Sequence, residues 1–186
     1  MKRCIDFLLA LALLALFAVP WLFIALAIKV TSAGPALFWS NRVGRGNKVL
    51  HMPKFRTMRV GVPELPTHLL AEPASHLTPV GALLRKSSLD ETPQLWSILK
   101  GDMSFVGPRP ALFNQSDLIE LRTASGVGDL VPGLTGWAQV NGRDELHIPE
   151  KVRLDEEYLR RRSLWFDLKI LWRTALKVVA QDGVAH

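Results

Sequence analysis

Phe7 to Ile28 is a run of 22 residues without a charge, built mostly of Leu, Ala, Phe, Ile and Val. As a helix it is long enough to cross a bilayer. Lys2, Arg3 and Asp6 precede it, and Lys29-Val30-Thr31-Ser32 follows without a small-residue cleavage pattern, so retention in the membrane is expected over removal as a signal peptide. Pro20 lies past the middle of the run. A proline there removes one helix hydrogen bond and crowds the preceding turn. Two readings stand. One is a kinked spanning helix. The other is a re-entrant hairpin that bends at Pro20 and returns to the face it entered. Basic residues lie on both flanks, Lys2 and Arg3 before and Lys29, Arg42, Arg45, Lys48, Lys54, Arg56 and Arg59 after. The positive-inside rule then puts both flanks in the cytoplasm, which a straight span does not satisfy. The hairpin in turn requires that irregular backbone at membrane depth be covered by protein.

Charge follows the same division. Residues 1–60 hold nine Lys/Arg and one acid, while residues 61–186 hold fourteen and sixteen. The basicity therefore belongs to the third of the chain that carries the apolar run. This points to an anionic membrane surface or an anionic substrate delivered there. A nucleic-acid groove would need basic residues spread along a binding face. The single cysteine, Cys4, excludes an internal disulfide and a cysteine-based metal cluster. Six Trp beside one Tyr fits a chain that works at a membrane interface.

Downstream of the run, Leu37-Phe38-Trp39 could be a short strand or an interfacial segment and Val49-Leu50-His51-Met52 reads as strand-like, with the basic loop Arg42-Val43-Gly44-Arg45-Gly46-Asn47 between them. That loop lacks the Gly-Lys-Ser/Thr ending of a P-loop. Pro53 blocks a backbone donor just before Lys54-Phe55-Arg56-Thr57-Met58-Arg59, which makes this segment an edge or a loop. Gly61 to Pro79 is an irregular, Pro-rich excursion, and its His68 and His76 read as surface residues rather than metal ligands. Val80 to Lys100 reads as helix, break, helix. Gly101 to Pro110 reads as a stiff loop, and a helix is expected from Ala111 to about Thr123. Pro149 is expected to open a helix reaching Tyr158. Ser163 to Val179 mixes Trp165, Trp172 and aliphatic residues with spaced charges, which suits an interfacial amphipathic helix or a core-packing one.

The break in the second helical region carries the chemistry. Asp90 and Glu91 are adjacent, Arg85 and Lys86 lie just upstream, and Gly107-Pro108-Arg109-Pro110 follows. Thr92 is a candidate N-cap and Pro93 suits a first helical position, which would set both carboxylates ahead of a positive helix end. An acidic pair among cations can bind a divalent metal or act on a phosphate ester; the plainer alternative is a solvated pair at a helix start. Prolines on both sides of Arg109 restrict its backbone, as a phosphate clamp requires. Thr135, Gln139, Asn141 and Arg143, in the glycine-rich block Val131–Arg143, could face a nucleotide or sugar, or could simply belong to a set of structural turns.

Taken together, these blocks resemble the bacterial sugar transferase family, the monotopic polyprenyl-phosphate phosphoglycosyl transferases, in its minimal catalytic form. The likeness rests on the proline-broken apolar start, Lys54-Phe55-Arg56-Thr57-Met58 and Arg85-Lys86-Ser87-Ser88-Leu89-Asp90-Glu91-Thr92-Pro93-Gln94-Leu95. It extends through Leu99–Pro110, Pro132–Arg143 and Asp167-Leu168-Lys169-Ile170-Leu171. Each block is weak alone; their order and combination are specific. One departure is Val19 ahead of Pro20, where family members often carry a serine whose hydroxyl could satisfy a carbonyl freed at the bend.

The resemblance implies a fold: mostly α with short β segments, a re-entrant membrane hairpin over residues 1–30 broken at Pro20, and a cytosolic membrane-associated α/β catalytic domain over 31–186 with interfacial amphipathic helices. It also implies a reaction. A sugar-1-phosphate passes from a UDP-sugar to undecaprenyl phosphate with release of UMP, at the cytoplasmic face of the bacterial inner membrane, as the first membrane step of surface glycan assembly. Asp90 is the implied nucleophile. Mg²⁺ is the implied cofactor, with Asp90 and Glu91 as its protein carboxylates. Arg109, Lys54, Arg56 and Arg85 are the implied phosphate contacts, and anionic phospholipid headgroups are further partners. The competing account is a non-enzymatic membrane scaffold that binds anionic lipid through the basic N-terminal third.

Overall fold

The structure is a computed structural model describing residues 1–63, 72–142 and 146–180. The longest element is helix α1, Lys2–Thr31, which contains Pro20 within one uninterrupted helical stretch. A single helix is therefore present where a hairpin reading expects two arms. Its outward face is apolar and exposed, with Leu8, Leu16, Leu22, Phe23 and Leu26 all uncovered. Its inward face packs along the remainder of the protein. Ala10 sits fully buried in the main core, and Ile28 is buried with Phe55 and Leu84 in a second cluster. The N-terminal end of α1 is tied down by polar bonds. Lys2 pairs with Asp167 at 2.6 Å, and Asp6 accepts the Phe105 backbone N–H at 3.3 Å. Arg3 donates to the carbonyls of Ile98 and Leu99.

Strands β1 (Leu37–Val43) and β2 (Val49–Phe55) form an antiparallel hairpin in register from Leu37↔Phe55 to Val43↔Val49. The turn between them uses left-handed backbone at Gly46 and Asn47. The short strand β4 (Ala111–Leu112) pairs with the other side of β1, so β2 is an edge strand. Pro53 stands opposite Trp39, an edge position where the missing N–H breaks no ladder. Sequence reasoning expected a helix from Ala111. The structure instead begins α4 at Ser116 and runs it to Ala124, because Ala111 and Leu112 are drawn into the sheet.

The second sheet was not foreseen. Strand β3 (Ser104–Val106) lies inside the segment expected to be a loop and pairs in parallel with β5 (Gly133–Thr135). Helices α2 (Gly81–Lys86) and α3 (Leu95–Lys100) flank the helical break, and α5 (Trp137–Val140) follows β5. Helix α6 (Ile148–Arg161) has Pro149 in its first turn, where the absent N–H would be unpaired in any case. Helix α7 (Leu164–Ala180) packs into the core along one face and is exposed along the other. Phe166 and Ile170 are in the core, while Trp165, Leu168, Trp172 and Leu176 form an uncovered apolar stripe.

Candidate active site

Asp90 and Glu91 do not stand directly at the start of α3. They lie within a 3₁₀ turn, Leu89–Gln94, which runs directly into α3. The turn begins earlier than the residues suggest because Ser88 adopts a left-handed conformation, φ 56°, that reverses the chain after α2. Thr92 is therefore not a cap for α3. Its hydroxyl donates to the Leu89 carbonyl at 2.7 Å and closes the turn from inside. Pro93, Gln94 and Leu95 are buried and anchor the far side of the turn.

Three further segments bring cations to the pair. Lys54, at the end of β2, donates to Glu91 Oε1 at 2.9 Å. Arg109, from the loop between β3 and β4, grips both Glu91 oxygens, at 2.7 Å to Oε1 and 3.3 Å to Oε2. Arg85, on α2, donates to the Thr57 hydroxyl at 3.0 Å, and its charge acts on both Asp90 and Glu91. Glu91 is thus held by a bidentate arginine and a lysine. Asp90 is buried, and no side chain among the described residues donates a hydrogen bond to it.

The two carboxyls are driven apart as a result. Burial and the adjacent Glu91 charge push Asp90 up to about 6, against the opposing pull of Lys54, Arg85 and Arg109. Burial also acts to raise Glu91, but the charges and hydrogen bonds of Arg109 and Lys54 outweigh it and hold that carboxyl well below the ordinary range. The last proton of the pair therefore resides on Asp90. Burial likewise lowers Lys54 from the usual lysine range, with Glu91 opposing.

Not every residue expected at the site is there. Arg56 turns the other way. Buried, it donates to the Ser32 hydroxyl at 2.8 Å, to the Ser32 carbonyl at 3.1 Å and to the Ala33 carbonyl, tying the sheet to the end of α1. Gly34 makes room for this: its φ is 111°, and a Cβ there would fall 2.5 Å from Arg56 Nη1. The glycine-rich block is also committed to the fold. Thr135 Oγ1 bonds Thr174 Oγ1 at 2.7 Å, Gln139 donates to the Leu134 carbonyl at 2.9 Å, and Asn141 donates to the Trp137 carbonyl at 2.7 Å. Arg143 and His68 lie outside the described residues.

The work of that block is to brace the arginine loop. The Gly107 N–H donates to the Thr135 carbonyl and the Gly133 N–H to the Pro108 carbonyl, each at 2.9 Å. Cβ atoms at Gly133 or Gly136 would each fall 2.1 Å from Gly107 backbone atoms, so both must be glycine for the strands to close.

A second brace was missed from the sequence. Arg122 of α4 forms a buried pair with Asp155 of α6, at 2.6 Å, and donates a further bond of 2.7 Å to the carbonyl of Arg109. Arg109 is thus held from behind through its backbone and from the front by Glu91. One available signal was the spacing of Val152, Asp155 and Tyr158, which puts a carboxylate on the apolar stripe of α6.

The model of the bacterial sugar transferase family matches residues 1–181. The chain belongs to that family. It is 38% identical to the uncharacterized sugar transferase EpsL of Bacillus subtilis, across 99% of this chain and 90% of EpsL. It is 40% identical to the UDP-glucose:undecaprenyl-phosphate glucose-1-phosphate transferase of Escherichia coli K12, across 95% of this chain and 40% of that protein. It is 39% identical to the undecaprenyl-phosphate galactose phosphotransferase of Salmonella typhimurium LT2, across 98% of this chain and 41% of that one. The chain therefore spans about two fifths of the length of the latter two relatives.

Proposed function

We propose that this sugar transferase moves a sugar-1-phosphate from a UDP-sugar to a polyprenyl phosphate, releasing UMP through a covalent intermediate on Asp90. The observation that carries this reading is the division of labour within the acidic pair. Glu91 takes up the cations, while the buried neighbouring Asp90 is left free to attack. Family membership favours an enzyme over an anionic-lipid scaffold, and a scaffold would have no use for a buried carboxylate whose pKa is raised.

An Asp90 carboxylate oxygen attacks the phosphorus that bears the sugar. The bond from that phosphorus to the bridging oxygen breaks, and the oxygen leaves on UMP. An oxygen of the lipid phosphate then attacks the same phosphorus, the acyl-phosphate bond breaks, and Asp90 is restored. Arg109 and Lys54 are positioned to exchange Glu91 for phosphate oxygens of the donor and to stabilise charge as it shifts. Arg85 supports the ionised form of Asp90.

Among the described residues, no cluster of three or more His, Cys, Asp or Glu could hold a metal. The pair nevertheless fits Mg²⁺, which uses one or two carboxylates and completes its shell with water and substrate phosphate. Asp90 is the available ligand, and Glu91 would join it only on giving up Arg109 or Lys54. When bound, Mg²⁺ would offset the donor's diphosphate charge.

The membrane part of this reading is that α1 is re-entrant, with Pro20 as its bend, and that residues 31–186 form the catalytic domain on the cytoplasmic face. Support comes from contacts along the whole helix. A spanning helix carries its ends to opposite sides of a core about 30 Å thick, yet residues near both ends of α1 bond the same polar domain. Such a domain does not lie in hydrocarbon. The exposed stripe of α7, flanked by Lys169 and Arg173, supports a second contact with the interface and with anionic headgroups. Single cysteines at Lys2 and Lys29 in a Cys4-free background should be labelled from the same side of intact cells. Labelling from opposite sides would exclude the re-entrant arrangement.

The deciding test of activity is Mg²⁺-dependent UMP release from a panel of UDP-sugars mixed with undecaprenyl phosphate in detergent. No release from any donor would overturn the proposal. The pH profile adds a second check. The attacking group must be ionised, so kcat/KM for UMP release should fall as pH drops through about 6. Glu91→Gln removes the like charge beside Asp90 and leaves Lys54 and Arg109 unopposed, so the acidic limb should move to lower pH. An unmoved limb would assign the titration to another group.

A further inference from the structure

Trp21 follows Pro20 directly and touches the catalytic turn. Its indole N–H donates to Thr92 Oγ1 at 2.9 Å, and that hydroxyl donates in turn to the Leu89 carbonyl at 2.7 Å. These two bonds link the membrane helix to the residue immediately before Asp90. The Trp21 ring also meets Phe55 edge-on, with centroids 6.1 Å apart at 80°, and Phe55 adjoins Lys54. Trp21 packs against both hydrophobic clusters, at the point on α1 where one gives way to the other.

From these contacts we infer that Trp21 is a positioning residue, which sets the Asp90 turn against the membrane-embedded helix so that Asp90 meets an acceptor phosphate held at headgroup depth. This rests on the proposed two-step transfer and goes beyond it by naming the element that matches the site to the lipid.

The attachment of α1 does not itself depend on Trp21. Near the N-terminus it is secured by Lys2, Arg3 and Asp6, and near the C-terminus by Ser32 through Arg56. What Trp21 adds is a directional bond to the turn. Indole offers a single donor and no acceptor, and a hydroxyl can donate and accept at once, so the relay is specific to this pair. Phenylalanine at position 21 would keep the edge contact with Phe55 and lose the bond. Valine at position 92 would keep the shape and lose both bonds.

The two halves of the reaction should respond differently. The nucleotide donor arrives from water and can follow a displaced turn. The acceptor phosphate is held at the membrane surface and cannot. A misplacement of about 1 Å can cost on the order of 100-fold in rate.

The test uses the full-length protein in lipid nanodiscs. Trp21→Phe is compared with wild type in single-turnover UMP release without acceptor, and in transfer to undecaprenyl phosphate, with Thr92→Val, which also opens the turn from inside, as the variant that should lose both halves. For Trp21→Phe, UMP release should stay within about twofold while transfer falls at least about tenfold, and adding Trp21→Phe to Thr92→Val should lower transfer no further. In detergent micelles, where acceptor depth is not fixed, the transfer deficit should shrink. Equal loss in both halves would make Trp21 a support of the turn only, and no loss in either would also overturn the inference. A wild type that releases no UMP from any donor would remove the parent reading and this inference with it, an outcome distinct from a variant effect.

Discussion

Replacing Asp90 with asparagine should lower UMP release by about 10³-fold or more, because the group that forms the covalent bond is gone. The intermediate should vanish with it: mass spectrometry of wild type with donor alone should show a phosphosugar adduct, and the variant none. The loss should come without unfolding. The raised pKa of Asp90 means that the fold disfavours its ionised form. Its contribution to stability is present below the ordinary aspartate range and is lost as pH rises through about 6. Above that, asparagine relieves the cost of a buried charge, so the melting temperature of the variant at pH 8 should match or exceed that of wild type. An Asp90→Asn protein that keeps full turnover would mean that the nucleophile is another residue.

Arg109→Ala should show the opposite pattern, losing stability and activity together. It strips Glu91 of its bidentate partner and leaves a largely buried carboxylate with Lys54 alone. Breaking a buried pair from one side costs about 3–5 kcal/mol, and the lower end is expected here because Arg109 keeps 24% of its side-chain exposure. Turnover should fall by about 10²- to 10³-fold as a donor to the shifting phosphate charge is lost. Chemical denaturation at pH 7 and UMP release measured on the same preparation check both effects. The double variant Glu91→Gln/Arg109→Ala should recover stability without recovering rate, since the stranded charge is gone while the phosphate contact is still missing.

The contrast between these two variants follows from an arrangement only partly legible in the residues. Adjacency of Asp90 and Glu91, and the prolines around Arg109, were enough to mark an acid pair and an arginine as chemically interesting. They did not reveal that Glu91, not Asp90, would hold Arg109, since that depends on a left-handed Ser88 and a 3₁₀ turn. Lys54 and Arg56 are two residues apart and look equivalent in sequence. The end of β2 sends one to Glu91 and the other to Ser32. Thr135, Gln139 and Asn141 carry ligand-like chemistry, yet their partners are carbonyls and hydroxyls of their own scaffold. Polar side chains near glycines have two possible employers, and local pattern does not distinguish them.

Periodicity, proline positions and the uncharged run determined the elements that answer to local physics: the long apolar α1, the strand-like stretch of β2 with Pro53 near an edge, the proline-led α6 and the mixed apolar and charged helix α7. Each depends on residues within a few turns of one another. The acid pair at the heart of the chain was also visible there, but without its division of roles. Tertiary structure alone decided that division. It brings Lys54, Arg85 and Arg109 from three separate segments to one turn, braces Arg109 through Arg122 and Asp155, and docks Trp21 against Thr92. The physical reason is distance along the chain. A carboxylate's pKa, and which cation it holds, are set by charges and burial from residues tens of positions away, and no local spacing encodes them.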